Sequence, residues 1–199
     1  MKHILVATGN LHKLCEIREI LCPHGIEVRG AADVGGIPDV VEDRDTFEGN
    51  AIKKAVEVAA ARKCTAMADD SGLEVFALSG DPGVYSARYA GENAGDQENY
   101  EKLLQQMVGI QERAARFRCV IAVANPEGEV QTAAGEVKGR IIHKPRGAGG
   151  FGYDPVFIPE GYQSTFAELS PAVKNRLSHR SVALRNGLEK GLFEVCENE

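Results

Sequence analysis

Apolar runs and helical stripes alternate along the N-terminal part of this chain. Residues 3–8 (His-Ile-Leu-Val-Ala-Thr) read as a short buried strand. Gly9-Asn10 turns the chain, and Asn10 is suited to cap a helix with Leu14, Ile17 and Leu21 on one face. Pro23 and Gly25 stop that helix, and residues 27–29 suggest a second strand before a Gly- and Pro-punctuated loop. Asp45 and Glu48 have capping-box spacing, opening a helix with Ile52, Ala55, Val56 and Ala59 inward. Residues 65–68 predict a strand ending on Asp69-Asp70, and residues 73–76 another. After a turn at Pro82-Gly83, Asp96 is placed to cap a helix burying Tyr100, Leu103, Leu104 and Met107. Residues 117–124 and 130–137 form a hairpin pattern around Asn125-Pro126-Glu127-Gly128. Residues 140–143 and 156–158 suggest further strands, residues 165–169 a helical turn. A last helix starts at Ser178, with Val182, Leu184 and Leu188 for packing.

Helices alternate with strands at the start, but strands succeed one another in the middle. The predicted class is therefore α/β with a mixed sheet flanked by helices, not a strictly doubly wound parallel sheet. At 199 residues the chain can build one sizeable domain, or one domain with two lobes. Its strongest apolar run, residues 119–124, is far too short to cross a bilayer. Met1-Lys2-His3 leads straight into the first strand pattern without a signal-like apolar stretch, so a cytoplasmic address is expected. The cysteines (Cys15, Cys22, Cys64, Cys119, Cys196) show neither CxxC nor paired metal spacing and read as reduced thiols. A net charge of −6 argues against binding a nucleic-acid backbone. A single nucleotide needs only local positive charge in a cleft and stays open.

Three separated stretches carry candidate chemistry. Thr8-Gly9-Asn10-Leu11-His12-Lys13 couples a strand end to a helix start and a lysine, a phosphate cradle in outline. By itself it is also a common strand–turn–helix junction. Asp69-Asp70-Ser71-Gly72 places adjacent carboxylates that repel unless a cation, a proton or strong hydrogen bonds intervene. Strand alternation sends them to opposite sides, so one of the two faces a given cleft; an Asx turn into Gly72 accounts for the pair equally well. Glu42 offers a distant carboxylate to complete a magnesium site of hard oxygens and substrate phosphates. Gly149-Gly150-Phe151-Gly152-Tyr153-Asp154 presents aromatic rings between glycines, and a ring so held can stack on a base for roughly 1–3 kcal/mol. Arg180, in the first turn of the last helix, sits where the macrodipole disfavours a cation, which suggests a ligand-directed task or a solvated side chain.

With these residues in view, the chain resembles the inosine triphosphate pyrophosphatase family, bacterial dITP/XTP pyrophosphatases included. The resemblance runs through Thr8-Gly9-Asn10 to Lys13, Thr46-Phe47 to Asn50-Ala51, Ala68 to Leu73, Ser86-Ala87-Arg88-Tyr89, Gly149 to Pro155 and Ser178-His179-Arg180, nearly the whole length. It implies a single domain over residues 1–199, with an elongated mixed sheet, two lobes, a central cleft, and a homodimer. It also implies magnesium-dependent hydrolysis of ITP, dITP and XTP to the monophosphate and pyrophosphate. By matching position, Thr8, Gly9, Asn10, Leu11, His12 and Lys13 bind the triphosphate. Glu42 and Asp70 hold Mg2+, and Asp70 is the general base. Ser71, Phe151, Gly152, Tyr153, Asp154, Lys174, His179 and Arg180 contact substrate, with Asn50 and Lys54 contributing near the phosphates. The family commonly has a glutamate one position before the asparagine of this helix; here Gly49 stands there and Glu48 is displaced by one. Donors from Lys174, His179 or Arg180 would match the 6-oxygen of inosine and xanthine and oppose the 6-amino group of adenine. The alternatives are a pyrophosphatase for other modified nucleotides and a noncatalytic nucleotide sensor.

Overall fold

A computed structural model describes residues 2–195 and 197–198. Cys196 lies outside the described residues. The strands are β1 (Lys2–Val6), β2 (Ile26–Arg29), β3 (Ala66–Val75), β4 (Ala114–Ala124), β5 (Val130–Ile141), β6 (Phe157–Pro159) and β7 (Glu197–Asn198). The helices are α1 (Leu11–Leu21), α2 (Phe47–Arg62), α3 (Asp96–Gln106), α4 (Pro171–Leu177) and α5 (His179–Glu189).

The chain divides into two compact units. One comprises Met1–Asp70, Cys119–Gly135 and Arg180–Glu199, the other Ser71–Arg118 and Glu136–His179. In the first, strands run β2-β1-β3-β4-β5, with β7 on β1; β1 is parallel to β2 and β3 and antiparallel to β7. In the second, the order is β3-β4-β5-β6, with β5 and β6 antiparallel. The expected mixed sheet with helices is found.

The first core gathers Ile4, Val6, Leu14, Ile17, Leu21 and Met67 with β4 and α5 residues such as Ile121 and Leu184. The predicted stripe of α1 is its buried face, and Asn10 caps it by accepting from His12 N at 2.9 Å and Lys13 N at 3.1 Å. The second core is built on Leu73, Val75, Leu103, Phe117, Phe157 and Phe166. Its aromatic centre is an edge contact of Phe117 with Phe157, ring centroids 4.8 Å apart.

Several local expectations are corrected. Helix α2 is capped by Thr46, which accepts from Gly49 N at 3.0 Å, and not by Asp45. Glu48 reaches Thr132 on β5 at 3.0 Å instead of closing a capping box. Asp96 is the first residue of α3; Glu98 accepts from Gly95 N at 2.7 Å, while Asp96 accepts from Gly152 N at 2.7 Å. Strand β3 does not stop at Asp69-Asp70 but runs on to Val75, because both carboxylates have partners that offset their burial. Residues 140–143 are not a separate strand: β5 runs through Lys138-Gly139 to Ile141. Helix α4 was not anticipated; it is one short element capped by Ser170 with Pro171 at its start, and it carries no apolar stripe.

Gly139 is where β5 and β6 approach most closely. A β-carbon there would lie 2.2 Å from Ile158 O and 2.6 Å from the Phe157 ring. Gly139→Ala should therefore destabilise the second unit by about 1–3 kcal/mol, read as a lower urea midpoint at unchanged m-value.

Candidate functional site

In the first unit, β1 delivers Thr8 and Gly9 to the start of α1. Thr8 Oγ1 accepts from Asn10 N at 3.1 Å, and the Asn10 side chain takes the His12 and Lys13 amides. The cap thus occupies two of the donors that a bare helix terminus would aim at an anion. Lys13 supplies a cation at this turn, while Leu11 is 72% exposed and His12 is exposed.

Asp69 and Asp70 point into opposite surroundings, as alternation requires. Asp69 Oδ2 meets Arg180 Nη2 at 2.9 Å, Arg180 Nε at 3.1 Å and Lys13 Nζ at 3.2 Å. Burial alone would push its carboxyl up, but the Lys13 and Arg180 charges and hydrogen bonds outweigh that and hold it well below the usual carboxylate range. Asp70 accepts from Asn50 Nδ2 at 2.9 Å on Oδ2. Burial pushes its pKa up to about 6 despite the Asn50 bond, and the Glu42 charge adds to the rise. One carboxylate is locked as an anion; its neighbour is poised near neutrality.

Glu42 lies in the loop preceding α2 and accepts from Lys54, while Lys53 pairs with Asp43 at 2.8 Å and reaches Val41 O at 2.8 Å. These bonds fasten the loop to α2. Thr8, Gly9, Asp39, Glu42 and Lys54 line a cavity of about 290 Å³ within this unit. Among the described residues no group of three or more His, Cys, Asp or Glu side chains could hold a metal ion by itself. The donor set nevertheless fits a hard cation. Asp70 bears an incompletely offset buried charge that feels the Glu42 carboxylate, and a magnesium ion takes one or two carboxylates with the rest of its shell from phosphate and water. Gly49 adds nothing, since a side chain there would meet Arg44 Cβ at 2.9 Å, and Glu48 is committed to Thr132.

In the second unit, the glycine-rich loop folds around Asp154. Its Oδ2 accepts from Phe151 N at 2.9 Å and from Lys174 Nζ at 2.6 Å. Gly150 has φ +74°, and a β-carbon on it would strike Asp154 Oδ2 at 2.0 Å, so only glycine permits this wrap. Lys174 is 7% exposed, and its ammonium stands 4.5 Å from the centre of the Phe151 ring. Phe151, Asp154 and Lys174 thus form one polar–aromatic cluster.

The remaining expected site residues occupy core and loop positions. Tyr153 is not an open platform: it is 4% exposed, packs in the second core and donates to Ser86 O at 2.8 Å. Burial raises its hydroxyl pKa beyond the ordinary tyrosine range. His179 stacks on Phe117 with centroids 4.8 Å apart and planes 11° apart. Gly152 bonds Asp96 through its backbone, and Ser71 is half-buried on β3. Arg180 is 1% exposed, its three nitrogens directed at Asp69 and Glu16. The solvated alternative for Arg180 is thereby removed. Glu16 was not anticipated; its only signal was the three-residue spacing from Lys13 on one helix face.

The sequence pattern of the Ham1 family matches residues 4–190. The chain is 49% identical over 187 residues to the dITP/XTP pyrophosphatase of Bacillus subtilis, which covers 93% of this chain and 94% of that one. It is 50% identical over 181 residues to the dITP/XTP pyrophosphatase of Desulfotalea psychrophila, 91% of this chain and 81% of the relative. A solved HAM1 protein from Coxiella burnetii superposes with a TM-score of 0.88 at 41% identity, covering 98% of this chain and 100% of that one.

The raised Asp70 pKa has a stability consequence. The folded state binds this proton more tightly than the unfolded chain, so the associated stability is complete below the ordinary value of 3.8 and is lost as pH rises through about 6. Asp70→Asn, which mimics the protonated form, should therefore be more stable than wild type at pH 8, by up to about 3 kcal/mol. Denaturation in chelator-treated buffer should show this gap closing as pH falls toward about 4.

Proposed function

The chain belongs to the Ham1 family, and from that premise we propose that it hydrolyses the nonstandard purine nucleoside triphosphates ITP, dITP and XTP to the monophosphate and pyrophosphate, removing them from the nucleotide pool. The observation that carries this reading is the contrast in surroundings of two adjacent carboxylates: Asp69 is bonded to Arg180 and Lys13, while Asp70 faces Asn50 and the Glu42 carboxylate. A carboxylate so placed can take a proton from water. The relatives' dITP/XTP pyrophosphatase names supply the substrate class.

The roles divide by unit. Thr8, Gly9, Asn10, Leu11, His12 and Lys13 receive the triphosphate, Lys13 as the point charge. Glu42 and Asp70 would hold Mg2+, which when bound neutralises phosphate charge and favours departure of pyrophosphate. The Asp70 carboxylate takes the proton of the attacking water, and Asn50, donating to Oδ2, orients it. Lys54, paired with Glu42, supplies a second ammonium beside the phosphate end.

In the second unit, Lys174 donates to the purine 6-oxygen, held in direction by Asp154, and Phe151 offers its ring to the base. Ser71, Gly152 and His179 complete the nucleoside contacts. Tyr153 and Arg180 contribute from inside their cores by fixing these neighbours. A buried donor facing the 6-amino group of adenine is left unmatched, which costs about 1–3 kcal/mol, tens- to over a hundredfold in selectivity. A homodimer in the cytoplasm is the assembly and address proposed for it. The free thiols Cys15, Cys22, Cys64 and Cys119 suit a reducing compartment, no described helix is long and apolar enough to cross a membrane, and the dimer is what the family resemblance implies.

The test is pyrophosphate release from ITP, dITP, XTP, dUTP, ATP and GTP with magnesium. Release confined to the inosine and xanthine substrates is expected. Release from dUTP in their place would make the chain a pyrophosphatase for other altered nucleotides, and binding without release would make it a sensor. Asp70→Asn should lower turnover by about 10²–10⁴ while ITP binding persists; near-normal turnover removes Asp70 from its role. Lys174→Met should raise KM for ITP and narrow its preference over ATP by about tenfold or more; an unchanged ratio assigns base reading elsewhere.

A further inference from the structure

Four charged side chains from three elements of the first unit meet behind the start of α1. Asp69 on β3 is 2% exposed, and its Oδ2 receives Arg180 Nε at 3.1 Å, Arg180 Nη2 at 2.9 Å and Lys13 Nζ at 3.2 Å. The remaining Arg180 nitrogen, Nη1, is bonded to Glu16, one turn along α1 from Lys13. Two cations thus face two anions, and the group is neutral as a whole. The side chains of Asp69, Arg180 and Glu16 are 1%, 1% and 12% exposed, whereas that of Lys13 keeps 18%. Lys13 is the outlet of the cluster.

A lysine ammonium on a flexible four-carbon stem loses rotamer freedom only when something behind it selects a direction. A carboxylate on a buried strand, itself held by a guanidinium from α5, does that. The guanidinium is in turn held from α1, so the helix bearing Lys13 is tied into the same ring of contacts.

We infer that Asp69 is a positioning residue for the hydrolysis: it sets the direction and reach of Lys13 toward the phosphates, with Arg180 and Glu16 holding Asp69 in place. The inference rests on the phosphate-binding reading of Lys13 given above. Asp69 does not touch substrate; its effect passes through the ammonium. It also offsets one positive charge beside the phosphates. Its neutralisation therefore impairs alignment without reducing electrostatic attraction. The kinetic signature is a fall in kcat with KM unchanged or lower, which a residue needed only for folding does not produce.

The experiment is a double-mutant cycle of Asp69→Asn with Lys13→Met, read by pyrophosphate release from ITP with magnesium. In the Lys13 background, Asp69→Asn should lower kcat by about tenfold to a hundredfold without raising KM. In the Lys13→Met background the same change should remove less than about threefold more. An equal loss in both backgrounds, a rise in KM at unchanged kcat, or wild-type kinetics for Asp69→Asn overturns the inference. If Asp69→Asn does not fold, the paired Asp69→Asn/Arg180→Met variant keeps the buried group neutral and carries the same expectations. Wild type that releases no pyrophosphate from ITP or XTP, or Lys13→Met with normal kinetics, defeats the underlying reading and this inference with it. An active wild type, an impaired Lys13→Met and additive losses defeat this inference alone.

Discussion

The contact on which the first unit's chemistry depends is the buried bond between Asp69 and Arg180. An unpaired carboxylate or guanidinium at 1–2% exposure would be prohibitively desolvated. Paired, and joined by Lys13 and Glu16, the charges cancel and link β3, α5 and α1. Such a pair is no large net source of stability compared with an apolar core. What it provides is geometric definition: a strand carrying two consecutive aspartates continues past them to Val75.

That continuity gives the adjacent carboxylates different chemistry. Strand alternation sends one toward two cations and the other toward Asn50 and the neighbourhood of Glu42. The first is held below the usual carboxylate range and the second is lifted to about 6 by burial. A single dipeptide thus yields a fixed counter-ion and a carboxylate of raised pKa from a difference in surroundings alone.

The second unit uses close backbone approach where the first uses charge. Gly150 lets the loop close on Asp154, and Asp154 then aims the Lys174 ammonium beside the Phe151 ring. Tyr153 anchors the same loop from below through Ser86. The glycines there are less a flexible platform than the condition for a tight wrap around a buried acid.

What the sequence determined alone was the local order: the α1 stripe of Leu14, Ile17 and Leu21, its Asn10 cap, the mixed sequence of strands, and the motifs that resemble the pyrophosphatases. These depend on periodicity and on side chains that act within a few residues of themselves. The tertiary structure decided what long-range partners decide. Asp69 and Arg180 are 111 positions apart, and nothing in either neighbourhood announces the other. Tyr153 and Phe151 are two residues apart in one loop, yet one ring is core and the other lies beside Lys174. The continuation of β3 past its acidic pair and the task of Glu16 depend on equally distant partners. Charge state and burial are settled by what the folded chain brings alongside, and periodicity along the chain does not record it.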